Sequence, residues 1–200
     1  MILALTFTWP QDSGEAAELA KMLPAEWRRR WVVETRHAAA VAGDAAIAGA
    51  EVVCDDFNRG SSLRGLDAVR GVIRAIAGGF ATSPDVEAVV KIDSDAALWD
   101  PDALVKPVAE GGAALCGVAR GDGSVSGACY VVGRAGAEAL RNVSTTELVQ
   151  TVIDARGHED CAVSAIIRRA GLPVRTYPIG RMNLWSHRRR DALQIFGHHF

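Results

Sequence analysis

Short apolar runs of strand length alternate with stretches of helical period from one end of this chain to the other, and that alternation limits the folds available to it. The runs fall at residues 2–8, 31–35, 51–54, 88–92, 114–118, 129–132 and 174–177. Helix-like stretches lie between them at 14–23, 37–48, 63–77, 101–109, 146–155 and 160–170. Repeated strand–helix alternation predicts an α/β layered domain, Rossmann-like, with a mostly parallel or mixed sheet flanked by helices. At 200 residues, 49% of them hydrophobic, the chain has the material for one sizeable core. No repeat, low-complexity tract or linker divides it, so a single domain is expected.

In sheets of this kind ligands sit beyond the carboxyl ends of the strands, so the residues that follow each apolar run carry the information. The sharpest case is Val89-Val90-Lys91-Ile92-Asp93-Ser94-Asp95, where a strand runs directly into two carboxylates. At strand spacing Asp93 and Asp95 lie on one side and can converge. Two anionic oxygen donors suit a hard cation such as Mg²⁺ or Mn²⁺, which bridges diphosphate oxygens. The same residues also suit an ordinary turn. A second pair, Glu159-Asp160, follows Gly157-His158 and opens an amphipathic helix. Carboxylates there satisfy free amides and the helix dipole, and they also suit a general base.

Taken in order, the strand, the Asp-x-Asp, the further strands and the Glu-Asp helix resemble the nucleotide-sugar glycosyltransferases of the GT-A fold. Asn58-Arg59-Gly60-Ser61-Ser62-Leu63-Arg64-Gly65 resembles the segment that borders their donor nucleotide, and Ser126-Gly127-Ala128-Cys129-Tyr130 their Gly-led strand near the acceptor. The resemblance implies a GT-A-like domain over residues 1–180, completed by a basic arm at 181–200. It implies transfer of a sugar from a nucleotide-sugar donor, with a UDP-sugar favoured, to a carbohydrate or other hydroxyl-bearing acceptor. In an inverting enzyme Asp160 would be the general base, or Glu159 could instead hold an acceptor hydroxyl; a retaining enzyme would not need that base, and both outcomes stay open. Thr8, Asp56, Arg59, Arg64, Lys91 and Asp93 would border the donor. Asp93, Asp95 and a C-terminal histidine would bind Mn²⁺ or Mg²⁺. Of His187, His198 and His199, His198 is preferred because Gly197 lets the backbone approach closely.

Charge and cysteine content sharpen this expectation. Through Ala155 fourteen basic residues stand against twenty-one acidic ones; from Arg156 onward eight stand against three. The arm thus brings Arg181 and Arg188-Arg189-Arg190 toward an anionic diphosphate, an anionic acceptor or an acidic membrane surface. Trp27-Arg28-Arg29-Arg30-Trp31 suggests nucleic acid by composition, but its acidic surroundings favour a surface helix end, and no nucleic-acid partner is expected. Cys54, Cys116, Cys129 and Cys161 form no Cys-x-x-Cys pair and read as buried reduced thiols of a cytoplasmic protein. Peripheral membrane contact and homo-oligomerisation stay open. Three rival readings share some of these features: a sugar-nucleotide nucleotidyltransferase, a haloacid-dehalogenase-like phosphatase and a non-catalytic nucleotide-sugar-binding module. The first lacks basic residues in the loop after strand one, and the second has only Lys106 after Asp95 to serve as its lysine.

Overall fold

The computed structural model describes residues 1–56, 65–94, 96–98 and 100–177, with the backbone of 184–186. Its main sheet is built from β1 (Ile2–Phe7), β2 (Arg28–Val33), β3 (Ala50–Cys54), β4 (Ala88–Asp93), β6 (Leu115–Ala119), β7 (Val125–Gly133) and β8 (Val174–Tyr177), in the order β3-β2-β1-β4-β7-β6-β8. All neighbours are parallel except β7, which runs antiparallel to both β4 and β6. The sheet is therefore mixed, with β7 the departure from the mainly parallel sheet that the alternation alone favours. Two short strands, β5 (Ala96–Leu98) and β9 (Leu184–Ser186), pair antiparallel beside it.

Among the described residues seven α-helices cover the sheet: α1 (Ser13–Met22), α2 (Ala38–Ala48), α3 (Leu66–Thr82), α4 (Pro101–Ala109), α5 (Arg134–Asn142), α6 (Thr145–Asp154) and α7 (Glu159–Arg169). The period-two pleat sorts the strand residues between two layers. Leu3, Leu5, Phe7, Val89, Tyr130 and Val132 face the layer that holds α3, α5, α6 and α7. Ala4, Val90, Ile92, Cys129 and Val131 face the opposite layer with Leu19, Leu104 and Val108. Helix α3 fits its layer because Val69, Val72, Ile73, Ile76 and Phe80 recur at helical spacing and are all buried. Among the described residues no helix is long and apolar enough to cross a membrane.

The structure corrects two expectations. The Trp27–Trp31 arginines do not end a helix: they enter β2, where Arg30 is buried because Glu51 (2.9 Å) and Thr82 (3.2 Å) accept its protons. Arg29 is likewise absorbed, by the carbonyls of Ala20, Leu23, Pro24 and Trp27. Cys54 is exposed, because β3 is the edge strand of the sheet; Cys116 and Cys129 are buried and Cys161 is half-buried.

Candidate active site

The parallel strands β1 to β4 end at one edge of the sheet, and the antiparallel β7 begins there. Lys91 shares the pleat side of Val89, so it points into the layer that holds α7. That layer is apolar below it, and the ammonium has to find partners nearby. It finds them at the first turn of α7. Lys91 Nζ lies 2.6 Å from Asp93 Oδ1 and 3.1 Å from Glu159 Oε1, and it donates to the Gly127 carbonyl. Its side chain is 1% exposed, against 8% for Glu159 and 29% for Asp93. The Tyr130 ring, opposite Lys91 on β7, lies 5.7 Å from the ammonium, within cation–π range. The Tyr130 hydroxyl donates to Glu159 Oε2 at 2.7 Å. Burial first, then the Glu159 charge, push that phenol well above its ordinary pKa, so it remains a donor.

Asp160 faces a different set of partners. Its Oδ2 accepts from Arg120 Nη1 at 2.6 Å and from the Gly127 amide at 2.8 Å, while Oδ1 accepts from the Cys161 amide at 2.8 Å. Gly127 therefore joins the two carboxylates: its amide serves Asp160 and its carbonyl serves Lys91. A Cβ there would meet Asp160 Oδ2 at 3.2 Å and Glu159 Oε1 at 3.4 Å. The turn into α7 carries two consecutive left-handed residues, Arg156 (φ 52°) and Gly157 (φ 76°), and the Gly157 carbonyl accepts from the Gly65 amide at the start of α3. That turn delivers Glu159 and Asp160 to the sheet edge, where the helix dipole favours their charge.

The structure thus brings Lys91, Asp93, Glu159 and Asp160 together. Thr8 and Asp56 lie on the same edge with other partners. Thr8 is buried against β2, its amide bonded to the Val32 carbonyl. Asp56 accepts from the Thr35 amide (2.8 Å) and hydroxyl (3.0 Å), and these bonds, the amide first, hold its carboxyl below the usual range. Arg59, Arg64, Asp95 and His198 lie outside the described residues, as do His187, His199, Arg181 and Arg188–Arg190. β4 ends at Asp93 and Ser94 is already in a turn.

Gly127 and Tyr130, from the Gly-led segment likened to a strand near the acceptor, join the site, and so does Arg120, to which the sequence reading assigns nothing. Arg120 follows an apolar strand, β6, that runs in the same direction as β4, so the rule that picked out Asp93 applies to it equally. Two carboxylates and an imidazole would suit Mn²⁺ or Mg²⁺. Among the described residues, however, no group of three or more His, Cys, Asp or Glu side chains could hold a metal ion. Asp93 is the one expected ligand described, and its Oδ1 is engaged by Lys91.

No family model and no curated protein matches this chain. Solved structures do. Mouse xyloside xylosyltransferase 1, in its apo form, is similar over 90% of this chain and 85% of its own, with a TM-score of 0.53 at 10% identity. The galactosyltransferase LgtC, in complex with donor and acceptor sugar analogues, is similar over 87% of this chain and 73% of its own, with a TM-score of 0.60 at 13% identity. An active-site mutant of LgtC gives the same score and identity over 88% of this chain and 72% of its own. The chain has the GT-A glycosyltransferase fold, a single α/β domain around a mixed seven-stranded sheet.

Proposed function

We propose that this protein is a glycosyltransferase that moves a sugar from a nucleotide-sugar donor, a UDP-sugar in the favoured case, to the hydroxyl of a carbohydrate or similar acceptor. The observation that carries the reading is the convergence of Lys91, Asp93, Glu159 and Asp160 at the strand edge where a fold of this class binds ligands. Its likeness to a xylosyltransferase and to a galactosyltransferase solved with donor and acceptor sugar analogues supports the same chemistry.

The role of Asp160 belongs to an inverting transfer, a direct displacement at the anomeric carbon; a retaining transfer would not need this base. Asp160 takes the proton of the acceptor hydroxyl as that oxygen attacks the anomeric carbon, a role typically worth about 10²–10⁴ in rate. The Gly127 and Cys161 amides fix the carboxylate for it. Glu159, oriented by Tyr130 and Lys91, shapes the acceptor side of the cleft. Lys91 offsets the negative charge of Asp93 and Glu159 beside an anionic donor. A divalent cation belongs to the proposal: Asp93, Asp95 and His198 would hold it, and when bound it supplies Lewis-acid stabilisation of the departing diphosphate.

The test is release of nucleoside diphosphate from UDP-, GDP- and dTDP-sugars with Mn²⁺ or Mg²⁺ and a panel of sugar acceptors. Acceptor-dependent release from one nucleotide class, lost in Asp160→Asn, is expected. Release unaffected by Asp160→Asn would remove the proposed base.

A further inference from the structure

Asp160 is held by three donors, and they differ in kind. The Gly127 and Cys161 amides belong to β7 and α7 and cannot leave without unfolding. The third, Arg120 Nη1, sits on a side chain that can rotate away. The Arg120 side chain is 35% exposed while that of Asp160 is 6% exposed, so the guanidinium covers the carboxylate from solvent. The turn that carries Arg120 is itself anchored. The Arg120 amide donates to the Ser124 carbonyl at 2.8 Å, the Gly123 amide to the Arg120 carbonyl at 2.9 Å, and Arg168 to the Gly123 carbonyl. The same turn offers the guanidinium a second partner, Asp122, whose Oδ2 lies 4.0 Å from Arg120 Nε. The Ser124 hydroxyl and then its amide hold the Asp122 carboxyl down to about 2, so this partner is anionic at any working pH.

We propose that Arg120 determines specificity for transfer over hydrolysis: it shields Asp160 from water and yields the carboxylate only when an acceptor enters, moving to Asp122. The inference rests on the reading of Asp160 as base. In the hydrolysis it suppresses, the oxygen of water bonds to the anomeric carbon of the donor. The bond from that carbon to the diphosphate oxygen breaks, the nucleoside diphosphate leaves with the electron pair, and the water proton passes to Asp160. Transfer is the same sequence with an acceptor hydroxyl in place of water.

The experiment measures nucleoside diphosphate release from UDP-glucose, UDP-galactose, GDP-mannose and dTDP-glucose with Mn²⁺ and no acceptor. It uses the wild type, Arg120→Gln, Arg120→Lys and the double variant Arg120→Gln/Asp160→Asn, each also melted with the same donors. Arg120→Gln should raise hydrolysis about tenfold at unchanged donor KM, a fraction of the roughly 10²–10⁴ that base assistance supplies. Arg120→Lys, which keeps the charge, should give a smaller rise, and the double variant should lose the gain. A gain in activity is not what a merely damaged fold produces. If a donor stabilises every variant yet neither Arg120 variant hydrolyses it faster than the wild type, the shield is refuted and the donor-site reading stands. If no donor stabilises the wild type and none is cleaved, both fall together.

Discussion

Replacing Lys91 with methionine removes an ammonium and keeps most of the aliphatic stem, which isolates the electrostatic part of the site. The cost follows from who is left behind. Glu159, 8% exposed, keeps only the Tyr130 hydroxyl among the contacts described above, whereas Asp93, 29% exposed, regains water. Removing one partner of a buried pair costs about 3–5 kcal/mol, and the exposure of Asp93 places Lys91→Met near the lower end, about 3 kcal/mol. For a chain of this size that lowers Tm by roughly 6–12 °C. Urea unfolding reads the loss as a fall in midpoint at constant slope. In the background of Glu159→Gln, where no charge is stranded, the same substitution should cost at least about 1 kcal/mol less, within the range of coupled neighbours. A single-variant cost below about 1 kcal/mol, or strict additivity with Glu159→Gln, would show that Lys91 does not hold the carboxylates together.

Other outcomes follow from packing and titration. In Gly136→Ala the new Cβ would stand 2.5 Å from the Ala114 carbonyl oxygen, so α5 has to shift and stability should fall by about 1–3 kcal/mol in urea unfolding. Gly43→Ala meets nothing within 4 Å in α2 and should stabilise by about 0.4–1 kcal/mol. Alkylation of the native protein at pH 8, read by mass, should label exposed Cys54 first; burial is the leading cause that lifts the Cys116 and Cys161 thiols to about 11, leaving about one part in a thousand as thiolate. The Ser144 hydroxyl and then its amide hold the Glu147 carboxyl below its usual range in the capping box of α6. Its contribution is therefore complete above the value of a free glutamate and lost as pH falls through the folded value. The difference in Tm between wild type and Ser144→Ala should narrow on acidification.

Much of this architecture is legible in the sequence because periodicity is a local property. The seven runs became the seven strands of the main sheet, the carboxyl-end rule led to Asp93, and the carboxylate pair opening an amphipathic helix marked the start of α7. Direction is not local, and nothing in Cys129–Val132 says that β7 runs against its neighbours or extends from Val125 to Gly133. Helix α5 escaped because the only large apolar side chain of Arg134–Asn142 is Leu140, and the rest of its buried face is Gly136 and Ala137. The arginines of β2 read as a surface until Glu51 and Thr82, supplied by distant segments, neutralise Arg30. The partners of the carboxylates were hidden for the same reason. Tyr130 and Glu159 are 29 positions apart and Arg120 and Asp160 are 40 apart, so only the folded sheet reveals that they touch.

Binding of a nucleotide-sugar at this edge of the sheet is read by thermal unfolding with UDP-, GDP- and dTDP-sugars, each with and without Mn²⁺. A ligand at about 100 times its dissociation constant stabilises by about 2.7 kcal/mol. For a domain of this size that is a rise in Tm of roughly 5–11 °C. Such a rise is expected with one nucleotide class, dependent on Mn²⁺ and abolished by Asp95→Ala. An unchanged Tm with every nucleotide-sugar in the presence of the metal would contradict it.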